Sequence, residues 1–201
     1  MLSLEEGTLL VRTARRTIEA YLRERRKPSA PKVPPKLREP RGVFVTLIKG
    51  GELRGCIGHP LPTTPLIDAV IDSAISSATR DPRFPPMVPE ELTEVEVEVS
   101  ALTKPEPIKV KTPREYPEHV VIGRDGLIVE RGGYAGLLLP QVAVEWGWDS
   151  EEFLSQTCLK AGLPPDSWLD EDVQIRKFSA QVFREKGPRG EVEERKLTEK
   201  T

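Results

Sequence analysis

The run Glu94-Val-Glu-Val-Glu-Val-Ser-Ala101 constrains the fold more than any other stretch of the chain. Val95, Val97, Val99 and Ala101 alternate with Glu94, Glu96, Glu98 and Ser100. That is the two-residue period of a β-strand, whose successive side chains leave opposite faces. One face is apolar and the other polar, so the strand reads as half exposed. Glu98, like Glu130 further on, is placed on an open, solvated face. Strands of this kind build antiparallel sheets, because parallel sheets are covered on both sides and their strands read as continuous apolar runs. Gly42–Ile48 adds a strand rich in β-formers. Gly50-Gly51 marks a hairpin turn, and the chain returns as Leu53–Ile57.

Helical periods lie on either side of this sheet. In residues 3–26, Leu4, Val11, Ala14, Ile18 and Leu22 recur at three- to four-residue steps and form one apolar stripe. Arg12, Arg15, Arg16, Glu19 and Arg23 lie off it and read as a solvated face, with an RNA surface as the lesser alternative. Five prolines in residues 27–41 predict an extended connection outside the core. Thr64 and Pro65 fit the cap and first position of a helix from Leu66 to Thr79. Apolar residues fill more than half of that helix's circumference, so it packs on more than one side. Asp81-Pro-Arg-Phe-Pro-Pro86 is a rigid turn, since proline fits neither a helix interior nor a central strand.

Further along, Val120–Ile122, Leu127–Glu130 and Tyr134–Leu139 suggest a three-stranded meander punctuated by Arg124-Asp-Gly126 and Gly132-Gly133. Helices follow at Gln141–Trp146 and Glu151–Leu163, the second capped by Asp149 or Ser150 and stopped by Gly162 and Pro164. Asp172–Arg184 is a last strand whose apolar parity changes between Ile175 and Phe178, and a bulge near Arg176–Lys177 would reconcile the two halves. Residues 186–201 are charged, nearly devoid of apolar side chains, and read as a flexible tail. Together these elements place the chain in the α+β class, with mainly antiparallel sheets and flanking helices.

Composition narrows the function classes. The 201 residues are enough to bury a core, and a net charge of −2 gives no global drive toward nucleic acid or anionic membrane. No apolar run approaches the ~18 residues of a membrane span. The start Met-Leu-Ser-Leu-Glu-Glu lacks the layout of a signal peptide, so a cytoplasmic protein is the reading. The chain has no Asn, four Gln and abundant charge, which fits a heat-loving source. Its two cysteines, Cys56 and Cys158, are too few for a secreted disulfide scaffold, and free thiols are favoured over a bridge between them.

Chemistry concentrates in Leu53-Arg-Gly-Cys-Ile-Gly58. Gly55 and Gly58 strip shielding side chains from around the Cys56 thiol and permit positive φ. Arg54, two residues away on a strand, shares its face and would lower the thiol pKa if the guanidinium lay near the sulfur. His59 is the nearby base. These make Cys56, Arg54 and His59 the catalytic candidates. The competing reading makes Cys56 a small buried hydrophobe within a close-packed turn. Arg80, Asp81 and Arg83 form a second polar cluster at the turn after the second helix, in which Asp81 and Arg83 read either as an anion clamp through Arg83 or as an ion pair that locks the turn. With Gly55 and Gly58, Asp81 and Arg83 are the binding candidates. Cys56-x-x-His59 has ligand-like spacing, but a structural metal wants four ligands and no second short-spaced pair exists, so no metal and no cofactor is expected.

These motifs, with Glu98-Val-Ser100, Leu139-Pro-Gln-Val-Ala143 and Trp146-Gly-Trp-Asp149, resemble the AMMECR-type domain family over residues 5–185. The resemblance implies an α+β fold of two unequal subdomains within one domain spanning residues 1–185. It also implies that the signature hexapeptide lies near the cleft between them. It points to an enzyme in a nucleotide, RNA or protein modification pathway, although the family carries no established activity. The alternative is a non-enzymatic adaptor in which the hexapeptide is structural. The partner would be a small molecule or a protein, with nucleic acid less favoured and a membrane excluded.

Overall fold

The structure, a computed structural model, describes residues 1–195. In chain order its elements are α1 (Leu4–Glu24), β1 (Val43–Lys49), β2 (Glu52–His59), α2 (Leu66–Thr79), β3 (Val95–Leu102), β4 (Glu106–Pro107), β5 (Asp125–Arg131), β6 (Tyr134–Leu138), α3 (Pro140–Trp146), α4 (Ser150–Lys160), β7 (Gln174–Glu185) and β8 (Val192–Arg195). The described residues divide into two compact units, residues 1–102 with 181–195, and residues 103–180. No helix among them is long and apolar enough to cross a membrane.

In the first unit β1 lies between β2 and β3, antiparallel to both. Val43, Val45 and Leu47 share one face with Val95, Val97 and Val99 of β3. They form a single core with Leu10, Ala14 and Ile18 of α1 and Leu66, Val70 and Ala74 of α2. Ser3 and Glu6 start α1 with a reciprocal capping box. Gly50 and Gly51, both at positive φ, turn β1 into β2.

Several expectations for this unit are corrected. Arg15 is not on a solvated face. It is 4% exposed and binds the fully buried Glu185 of β7 through Nε and Nη2, with further bonds to the carbonyls of Leu92 and Val95. Arg12 reaches the same carboxylate at 3.2 Å. A buried carboxylate is tolerable only when so fully paired. Glu98 and Ser100 are likewise buried, and Glu98 is met by Arg195 of β8 at 3.4 Å, so β3 is half exposed only near its start. Residues 186–195 hold strand β8, paired along β7 from Val182–Arg195 to Glu185–Val192. The rest of the expected tail, residues 196–201, lies outside the described residues. The proline-rich connection contributes Leu37 to the core from a 3-10 turn. Thr64 does not cap α2: Pro65 is the N-cap, no side chain caps it, and the amide of Leu66 is taken by the Glu39 carbonyl at 3.0 Å.

In the second unit β5 pairs with β6 on one side and β7 on the other, and β4 adds two residues along β7. Val120–Ile122 is not a strand. The Asp125 carboxylate accepts the Val121 amide and the Val121 carbonyl takes the amides of Arg124 and Asp125, folding these residues into a turn. The meander is therefore a β5–β6 hairpin with β7 as its third strand. No bulge interrupts β7 at Arg176–Lys177, since its register with β5 runs unbroken from Gln174 to Ser179. Ile175 enters this unit's core, whereas the ring of Phe178 covers Gly126 on the adjacent strand, so both parities are buried without an extra residue. Asp149 caps α4 by accepting the Glu152 amide at 2.8 Å.

Candidate functional site

All seven catalytic and binding candidates from the sequence lie in the first unit. Ile48 pairs with Leu53 and Leu47 with Gly55, so Arg54 is the extra residue of a β-bulge in β2. The bulge breaks the two-residue parity that would set Arg54 beside Cys56. Its guanidinium turns instead to Glu91, with Nε to Oε1 at 2.9 Å and Nη2 to Oε2 at 3.0 Å, and also reaches the Pro85 carbonyl. Arg54, helped by the Val88 amide and Lys49, holds the Glu91 carboxyl down to about 2.

Beyond the bulge, β2 is an edge strand, and an edge leaves amides and carbonyls without ladder partners. At Cys56 the Asp81–Arg83 turn supplies them. The Cys56 amide donates to Asp81 Oδ2 at 2.8 Å, and Arg83 Nη2 donates to the Cys56 carbonyl at 3.3 Å. Asp81 also accepts from the amide, Nε and Nη2 of Arg83. Its side chain is 2% exposed, and Arg83 holds its carboxyl well below the usual carboxylate range. The Phe84 ring lies beneath both guanidinium groups, 6.0 Å from that of Arg54 and 5.5 Å from that of Arg83.

The register places Cys56 beside Thr46 and Thr46 beside Glu98, a row on the face of the sheet turned away from α2. Thr46 Oγ1 donates to the sulfur at 3.3 Å. Burial pushes the Cys56 thiol up, against the opposing pull of Thr46 and Arg83. His59 is three residues on and therefore on the opposite face, where its Nδ1 meets Ser73 Oγ of α2 at 3.0 Å. The structure thus brings Cys56, Asp81 and Arg83 together and leaves Arg54 and His59 with other partners. Cys158 is a free thiol sealed in the second unit, and burial pushes it up to about 11.

Neither Gly55 nor Gly58 has positive φ. Both are glycines because neighbouring backbone comes too close for a side chain. A Cβ on Gly55 would lie 2.2 Å from the Ser77 carbonyl of α2, and one on Gly58 would lie 2.2 Å from the Val43 carbonyl. Ser77 uses this approach to bridge the hairpin, accepting the Ile57 amide at 2.8 Å and donating to the Val45 carbonyl at 2.7 Å. Sequence reasoning missed Thr46, Ser77 and Glu91. Only Ser77 left a trace, as one of two buried serines, with Ser73, on a mainly apolar side of α2.

The profile of the AMMECR1 family matches residues 11–183. The chain belongs to the AMMECR1 family. A Methanocaldococcus jannaschii protein is 58% identical over 199 residues, covering 98% of both chains. A Methanothermobacter thermautotrophicus protein is also 58% identical, over 92% of this chain and 97% of its own. The crystal structure of protein PH0010 from Pyrococcus horikoshii superposes with a TM-score of 0.88 at 55% identity, covering 96% of this chain and 97% of that one. These AMMECR1-family likenesses establish the α+β fold, and thermophilic organisms are among the sources of the relatives.

Proposed function

We propose that this AMMECR1-family protein acts as a binding or regulatory protein, an adaptor, and that Leu53–Gly58 is a structural latch within it. One observation carries the reading. The guanidinium that would have activated Cys56 is committed to both oxygens of Glu91. A thiol is a nucleophile only as thiolate, and a thiol raised by burial, whose sulfur meets the Thr46 hydroxyl rather than a histidine, is poorly placed for that work. Commitment of Arg12 and Arg15 to Glu185 also weakens an RNA-binding role for the first helix. The test is pH-dependent alkylation, which reads Cys56 because Cys158 is fully buried. The expected inflection lies above the ordinary thiol value of about 8.5. Rapid alkylation below neutrality would overturn the latch reading.

An enzymatic role in a nucleotide, RNA or protein modification pathway retains one favourable observation, the row Cys56–Thr46–Glu98 with Arg83 beside it. In that case Cys56→Ser abolishes turnover of the substrate while leaving the melting temperature unchanged. The latch reading expects the reverse, a shifted melting temperature with partner binding retained.

A further inference from the structure

His59 is not spare. It lines a cavity of about 440 Å³ in the first unit together with Tyr21, Lys27, Asp72, Ser76 and Arg80, and Ile75 forms part of the wall. This volume falls within the range of small-molecule sites. The charges around it do not cancel. Lys27 is neutralised by Asp72. Arg80, the C-cap residue of α2, has no hydrogen-bond or ion-pair partner for its guanidinium among the described residues. A second cation, Arg25, lies 5.9 Å from the ring centroid of Tyr21 and also lacks a carboxylate partner among them. His59 is fixed through Nδ1 by Ser73, which leaves Nε2 uncommitted. The hydroxyls of Tyr21 and Ser76 add two further donors beside the free guanidinium. The C-terminal end of α2 and Asp72 oppose an anion here, but the first is a partial charge and the second is already paired.

We infer that this cavity is a binding site for a small phosphate-bearing molecule, held by the Arg80 guanidinium, His59 Nε2 and the hydroxyls of Ser76 and Tyr21. A guanidinium fork with several further N–H and O–H donors suits a compact anion with three acceptor oxygens better than a carboxylate with two. The cavity also leaves room for a modest organic group against Tyr21 and Ile75. The inference does not depend on the role of Cys56, which lies on the other face of β2.

The chain has two histidines, His59 and His119, and His119 lies in the second unit as an internal reference. The imidazole resonances are followed by NMR while inorganic phosphate, and separately glycerol 3-phosphate, replaces chloride at constant ionic strength. The His59 signals are expected to move saturably and those of His119 to stay. Tighter binding of glycerol 3-phosphate identifies a phosphomonoester, and equal binding identifies free phosphate. Arg80→Gln, at an exposed side chain whose loss leaves the fold intact by circular dichroism, is expected to weaken binding about tenfold or more. Arg80→Lys, which keeps the charge without the fork, is expected to fall between. Linear and equal movement of both histidines, unchanged affinity in Arg80→Gln, or acetate binding as tightly as phosphate would each overturn the inference.

Discussion

Replacing Asp81 by Asn tests the latch directly. The carboxylate accepts four hydrogen bonds, three from Arg83 and one from the Cys56 amide. Asn keeps one acceptor oxygen and removes the charge. Bonds to a charged group contribute about 1.5–3 kcal/mol each, and breaking a buried pair costs about 3–5 kcal/mol. Arg83 is 54% exposed and regains water once released, which pulls the expected loss to about 2–3 kcal/mol. In a chain of this size that lowers the melting temperature by roughly 5–10 °C. The pH dependence follows from the direction of the Asp81 shift. Its folded pKa lies below its unfolded value of about 3.9, so the stabilisation is fully present above that value and is lost as pH falls through the folded one. The wild-type and Asn proteins should therefore differ by a constant amount near neutrality and converge in strong acid. Thermal melts followed by circular dichroism across pH, completed as a double-mutant cycle with Arg83→Gln, measure both quantities. A loss below about 0.5 kcal/mol, or additive Asp81 and Arg83 variants, would refute the coupling on which the latch rests.

Three other outcomes are expected. Gly55→Ala drives a methyl group to 2.2 Å from the Ser77 carbonyl and should cost about 1–3 kcal/mol or more in denaturant unfolding. Glu185→Gln strips the charge from a fully buried acceptor of Arg12, Arg15 and the Val97 amide, and should cost about 3–5 kcal/mol in the same assay. Burial raises the Glu98 carboxyl, so its charge opposes folding. That penalty is absent below the unfolded value of about 4.3 and grows as pH rises toward the folded one. Glu98→Gln should therefore gain stability relative to the wild-type protein between pH 4 and neutrality, and a constant difference in melting temperature across that range would contradict the assignment.

The elements with a strong period were legible from composition and spacing. The stripe of α1, the crowded faces of α2, the alternation of β3 and the Gly50-Gly51 turn all correspond to observed elements. Short apolar runs were not. Val120–Ile122 has strand residues but is folded into a turn by a carboxylate four residues on from Val121. The parity change in β7 looked like a bulge because the sequence cannot reveal that Phe178 has a glycine across from it to cover.

For the site, the local sequence determined which residue types meet along one short strand, because neighbours in a strand stay neighbours in any fold. It set a thiol between two glycines beside an arginine. Tertiary structure alone decided what those residues do. Arg54 leaves the ladder at a bulge to reach Glu91, 37 residues away, and Cys56 is fastened by Asp81, 25 residues away. Hydrogen bonds and ion pairs are fixed by distances of a few ångströms in space, and the return path of the chain through α2 and the Asp81–Arg83 turn sets those distances.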